Sequence, residues 1–231
     1  MLGNKEQKNE GIMKKCKAVV FDMDGVIFDS EALVMDIWKG MGEKYHIADV
    51  ETTMYKCIGV NAVETKQIFM DAYGEAFPYE TYIKEVSQIF HAKTDNGELP
   101  IKPGVEELLK YLKEEGYIVG LASSTKEVSV RQELTDAGLI SYFQELTCGD
   151  MLKASKPKPD IYLMACEKLG VAPEDAIAIE DSYNGIRAAH SAGMHPVMVP
   201  DLIEPDAEME EKCEQIFDNL MQVKSWIENW D

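Results

Sequence analysis

From Pro103 onward the chain alternates between short apolar runs and amphipathic segments closed by glycine, a pattern that few architectures accommodate. Val105 to Glu115 reads as a helix stopped by Gly116, and Tyr117 to Ala122 as a strand. Lys126 to Ala137 reads as a helix ended by Gly138, and Gln144 to Cys148 as a strand. Pro159 to Leu169 is a helix with proline in its first turn and Gly170 at its end. Ala176 to Ile179 is a strand and Asn184 to Ala192 a helix followed by Gly193. Val197 to Val199 is a short strand, with Pro196 placed ahead of it at the edge because it has no N–H for a ladder. Gln215 to Phe217 adds a last strand before a helix from about Leu220. Strands alternating with helices imply a doubly wound α/β fold, a parallel sheet covered on both faces.

One more strand precedes this series. Lys17 to Phe21 is β-branched and apolar and ends in Asp22-Met23-Asp24-Gly25. Between it and the alternating region, residues 30–95 show helical periodicity throughout: Ser30 caps a helix to about Lys44, Asn61-Ala62-Val63-Glu64 forms a capping box leading to Ala72, and a third helix spans Tyr79 to Lys93. Asp95 to Pro100 reads as a connection. The expected organisation is therefore a flexible tail over 1–12, an α/β core over 13–29 and 96–231, and an inserted helical cap over 30–95.

The 231 residues carry 42 Asp+Glu against 23 Lys+Arg, a formal net charge of −19, so a basic face for nucleic acid or anionic membrane is not expected. Five widely spread cysteines (Cys16, Cys57, Cys148, Cys166, Cys213) without a C-x-x-C fit reduced thiols of a cytoplasmic protein. The first residues lack the apolar core of a signal peptide, and no run approaches a membrane span. A monomer or weak homodimer acting on a small metabolite is the expectation.

Ligands of open α/β sheets sit at the carboxyl ends of the strands. The first end offers Asp22 and Asp24, whose side chains start on one side of the strand and call for a cation; magnesium, a hard ion taking oxygen ligands, is the natural candidate. Taken alone, Asp-x-Asp-Gly is an ordinary turn. The second end, Gly120 to Thr125, offers the hydroxyls of Ser123 and Ser124 and backbone N–H groups at a helix start. The third is Lys156, held out of the helical region by Pro157. The fourth is Glu180-Asp181-Ser182, acidic groups directly after an apolar strand. Four acids, one lysine, hydroxyl and amide donors at one sheet edge suit phosphoryl transfer.

Asp22-Met23-Asp24-Gly25-Val26, Leu121-Ala122-Ser123, Ser155-Lys156-Pro157-Lys158-Pro159-Asp160 and Glu180-Asp181-Ser182 resemble the four motifs of the haloacid dehalogenase superfamily, and the helical insertion resembles the small cap of its β-phosphoglucomutase-like phosphatases. The resemblance implies that Asp22 is the nucleophile and Asp24 the general acid–base. It implies that Ser123, Ser124 and Lys156 bind phosphate, and that Asp22, the Asp24 carbonyl and Asp181 hold magnesium with Glu180 in support. The second aspartate argues against dehalogenation, since family members that cleave carbon–halogen bonds lack it.

β-Phosphoglucomutases bring a histidine shortly after the first motif, where this chain has Glu31-Ala32-Leu33-Val34, and an arginine in the cap loop, where Gly59-Val60-Asn61-Ala62-Val63 has alanine. Hydrolysis of a small phosphate monoester, such as a sugar phosphate, is therefore the expectation, with phosphoglucomutase second. A phospho-receiver is set aside because no acceptor aspartate follows Gly120-Leu121-Ala122, and a silent binding protein because every chemical position is filled. Lys56, Asn61 and Lys66 read as solvated cap residues, and His46, His91, His190 and His195 as structural.

Overall fold

The structure, a computed structural model, describes residues 16–58, 62–94 and 99–230. The expected tail over 1–12, Asn61 and most of the connection before Pro100 lie outside them.

Six parallel strands form one sheet: β1 (Ala18–Phe21), β2 (Ile118–Ser123), β3 (Glu145–Cys148), β4 (Ala176–Glu180), β5 (His195–Met198) and β6 (Gln215–Ile216), in the order β3-β2-β1-β4-β5-β6. The central strand β1 is paired on both sides, with Phe21 opposite Leu121 and Ile179. That register levels the carboxyl ends of β1, β2 and β4, so the loops leaving these strands emerge at one edge.

The two-residue period of the strands sorts the core into two layers. Val19, Phe21, Leu121, Ile177 and Ile179 pack with Leu108 and Leu112 of α5 (Val105–Glu114), Val130 and Leu134 of α6 (Glu127–Asp136) and Val223 of α10 (Leu220–Glu228). Ala18, Val20, Ala122, Ala176 and Ala178 face the other way, onto Tyr162 and Ala165 of α7 (Asp160–Leu169) and Ala188 and Ala189 of α8 (Tyr183–Ala192). Glu180 shares the parity of Ala176 and Ala178 and emerges beside α7 and α8. A short α9 (Ala207–Lys212) follows β5, capped by Asp206, whose side chain accepts from Glu208 and Met209 N–H.

Among the described residues four helices fill the interval between β1 and α5: α1 (Ser30–Tyr45), α2 (Val50–Tyr55), α3 (Ala62–Tyr73) and α4 (Tyr79–Thr94). They enclose a cluster of their own, with Phe69 fully buried and its ring 5.0 Å from Trp38 and 5.4 Å from Tyr82. The chain enters and leaves this group through adjacent segments: Asp29 N–H donates to Pro100 O (2.9 Å) and Lys102 N–H to Ile27 O (2.9 Å).

Three sequence expectations are corrected. Helix α2 was not foreseen; it is six residues long and follows Asp49 in the left-handed region without a side-chain cap. Ser30 does not cap α1 but is its first residue, its hydroxyl directed to Asp24 instead. Pro196 lies inside β5 rather than ahead of it, opposite Ala178. Its carbonyl accepts from Glu214 N–H on the β6 side (2.7 Å), where β6 begins only opposite Val197, so the missing N–H costs the ladder nothing.

Candidate active site

Asp22 is the first residue beyond β1, its N–H donating to Ile179 O (2.9 Å). Gly25, at a φ of 75°, turns the chain into a tight loop in which Ile27 and Phe28 N–H donate to Met23 O (2.8 and 3.1 Å). The loop leaves Asp22 buried and Asp24 half-buried.

Lys156 reaches the same point from the loop before α7. Its buried ammonium donates to Asp22 Oδ1 (2.9 Å), Glu180 Oε1 (2.6 Å) and Ala122 O (3.1 Å), using all three protons. Tyr162 of α7 donates to Glu180 Oε1 (2.5 Å), and Ser182 donates to Glu180 Oε2 (3.2 Å) while accepting from Gly185 N–H (3.1 Å) at the start of α8. Both oxygens of Glu180 are thus engaged by protein donors. Asp24 is held separately: Ser30 donates to its Oδ1 (2.7 Å) and Thr125 to its Oδ2 (2.9 Å).

Burial, followed by the charge of Glu180, pushes the Asp22 carboxyl up to about 7, against the pull of Lys156. Burial works against the Lys156 charge, but Asp22 and Glu180 outweigh it and hold the ammonium above its ordinary range. Burial and Glu180 raise the Tyr162 phenol well above its usual value, leaving it a donor.

The donor set fits a divalent cation. Asp22, Glu180 and Asp181 are all buried and offer carboxylate oxygens within 4.8 Å of one another, close to the ~4.2 Å that separates two oxygens on opposite sides of a magnesium ion. Against three buried acids the structure sets one buried lysine, leaving negative charge for a cation to balance. A Cβ at Gly25 would lie 2.3 Å from Asp181 Oδ2, so the carboxylate occupies room that only glycine leaves. The Asp24 carboxylate is not part of this cluster, which leaves only its carbonyl as a candidate ligand.

Two cavities meet at Asp24. The larger, of about 700 Å³, is lined by Asp22, Asp24, Ser124, Thr125, Lys156 and Asp181, with Ala62 and Val63 across from them. The smaller, of about 220 Å³, lies among α1–α4. Ser123 is fully buried, its oxygen accepting from Thr125 N–H (3.0 Å), and does not line the larger cavity as Ser124 does. Lys66 pairs with Glu80 in solvent (2.7 Å), and neither it, Lys56 nor any of the four histidines lines a described cavity; Asn61 lies outside the described residues.

Thr125, Tyr162, Lys126 and Lys153 were not singled out in the sequence. Thr125 sits two residues past Ser123 in the same loop, a signal that could have found it. Lys126 and Lys153 line the larger cavity.

Fold and site define a class: the chain belongs to the haloacid dehalogenase-like hydrolases, whose family model matches residues 19–199. Among its relatives is the phosphorylated carbohydrates phosphatase of Thermotoga maritima, 34% identical over 181 residues that cover 78% of this chain and 83% of that one. The β-phosphoglucomutase of Bacillus subtilis is 32% identical, over 79% of this chain and 83% of that one. The crystal structure of β-phosphoglucomutase from Clostridium difficile superimposes with a TM-score of 0.76 at 26% identity, covering 93% of this chain and 96% of that one. The chain is accordingly a phosphatase-type hydrolase of this family. Among the described residues no helix is long and apolar enough to cross a membrane.

Proposed function

We propose that this protein is a magnesium-dependent cytoplasmic phosphatase that hydrolyses a small phosphate monoester, a sugar phosphate among the candidates, through an aspartyl-phosphate on Asp22. The observation that carries the proposal is the placement of Asp22: a carboxylate lining the larger cavity, fixed through Oδ1 by Lys156, with Asp24 beside it under separate restraint.

Asp22 attacks phosphorus through the oxygen that Lys156 leaves free; Lys156 steadies the nucleophile by its hydrogen bond and the incoming phosphate by its charge, its three protons being taken by protein acceptors. Ser124 and the amides of its loop hold the remaining phosphate oxygens, while the buried Ser123 steadies that loop by accepting from Thr125 N–H. Asp24 gives its proton to the departing alcohol, then takes one from the water that opens the aspartyl-phosphate. Ser30 and Thr125 keep Asp24 pointed at that task. Asp22, Asp181 and the Asp24 carbonyl, with Glu180 supporting, would hold magnesium, which would supply positive charge to screen carboxylate from phosphate. Residues 30–95 act as a cap over the α/β core of 13–29 and 96–231, moving on the paired segments around Asp29 and Lys102 to exclude water.

A second reading, phosphoglucomutase-type transfer, is favoured by Lys126 and Lys153, two cations in the larger cavity that could grip a second phosphate. A screen of phosphorylated metabolites, including β-glucose 1-phosphate with its bisphosphate activator, separates the two. Free phosphate supports hydrolysis; isomerised sugar phosphate without free phosphate overturns it in favour of transfer.

A further inference from the structure

The smaller cavity bears on which alcohol departs. Among the described residues it touches the site at Asp24 and Ser30, and its remaining lining is Val34, Trp38, Met54, Cys57, Ile58 and Phe90, with Thr65 and the Trp38 indole N–H as its further polar groups. Among the described residues no charged side chain but Asp24 reaches it. Two of the polar groups present are already occupied: Ser30 donates to Asp24, and Thr65 shares a hydrogen bond with the Cys57 thiol; the buried Trp38 Nε1–H has no partner among the described residues. Burial pushes that thiol up to about 12, so it stays neutral.

In-line displacement sends the leaving group away from the nucleophile. Asp22 lines the larger cavity and not the smaller one, whereas Asp24 lines both. A phosphate seated against Asp22 and Lys156, with its bridging oxygen at Asp24, therefore aims the alcohol toward α1–α4. The P–O bond breaks there, the alcohol oxygen takes the Asp24 proton, and the rest of the alcohol enters the smaller cavity.

We infer that the preferred substrate is a monoester whose leaving alcohol has an apolar body, and that fully hydroxylated alcohols are disfavoured; this rests on the phosphatase reading above. The cavity volume of about 220 Å³ suits a single six-membered ring. Hydroxyls placed on that ring lose water and find, among the described residues, one free donor, the Trp38 indole N–H, so a ring carrying several is penalised and an apolar ring is not.

Cyclohexylmethyl phosphate and glucose 6-phosphate share a six-membered ring and an exocyclic phosphorylated carbon, and differ mainly in hydroxyls. The expected result is a kcat/KM at least ~10-fold higher for the cyclohexyl ester, the scale on which an apolar pocket discriminates. Val34→Asn, which places an amide on the half-buried wall, should narrow that ratio several-fold with the melting temperature little changed. Equal or faster turnover of glucose 6-phosphate by the unmodified protein overturns the inference and leaves the phosphatase reading standing. Failure to release phosphate from either ester, or from p-nitrophenyl phosphate, removes the phosphatase reading and this inference with it.

Discussion

Asp181 stands where it does because residue 25 is glycine. A side chain there would begin 2.3 Å from Asp181 Oδ2, and the φ of 75° is one that L-residues adopt only with strain. The two residues are 156 positions apart, brought together by the pairing of β1 with β4. Gly25→Ala should therefore displace the Asp181 carboxylate and weaken magnesium binding by ~10–100-fold, the range seen when support of a metal ligand is lost. Asp181→Ala should raise the magnesium requirement still further. Titration calorimetry checks both; affinities equal to those of the unmodified protein would remove Asp181 from the metal site.

Among the described residues Lys156 is the one cation buried with Asp22, Glu180 and Asp181. Replacing it with methionine leaves the acids facing each other without compensation. The expected cost is ~3–5 kcal/mol in chelator, as for other broken buried ion pairs, and less with magnesium present. Urea unfolding with and without the metal measures both.

Asp22 also ties stability to pH. Its carboxyl titrates at about 7 in the folded protein against 3.8 as the ordinary value. Between those values the folded state holds a proton that the unfolded state has released, so this group's contribution falls as pH rises toward 7. Metal must displace that proton. The metal-free protein should lose thermal stability between about pH 5.5 and about pH 8, and magnesium should raise Tm more at the higher pH. A magnesium shift independent of pH would contradict this coupling.

Phe69 organises the helical group, buried at 0% exposure with Trp38, Tyr79 and Tyr82 rings 5.0 to 5.4 Å away. Phe69→Ala should destabilise these helices by ~3–5 kcal/mol. Hydrogen exchange should show faster opening in α1–α4 with protection of β1 and β4 retained; uniform loss across the sheet would mean that the two cores are not separable.

Much of this was legible in the sequence, for reasons particular residues make plain. The alternation after Pro103 fixes a parallel sheet, and such a sheet gathers the residues just past its strand ends, so Asp22, Glu180 and Asp181 converge. Lys156 is legible for its loop position but not for its burial, which depends on Glu180 sharing the parity of Ala176 and Ala178. The restraints on Asp24 were not legible, because Ser30 reads as a cap and Thr125 as a loop hydroxyl until β1 and β2 are placed side by side. Tyr162 carries no signal of its own within α7; only the fold sets its hydroxyl against Glu180. Helix α2 escaped because six residues show little periodicity. The apolar cavity beside Asp24 escaped because its walls come from four separate helices and the turn after α2.

The central claim is that Asp22 carries the phosphoryl group, and acid quenching during turnover of a radiolabelled monoester tests it most directly. The expected result is acid-stable, base-labile label on the peptide containing Asp22, absent in Asp22→Asn, whose turnover should drop by ~10³-fold or more with the fold intact. Label on another residue, or undiminished turnover by Asp22→Asn, would contradict it.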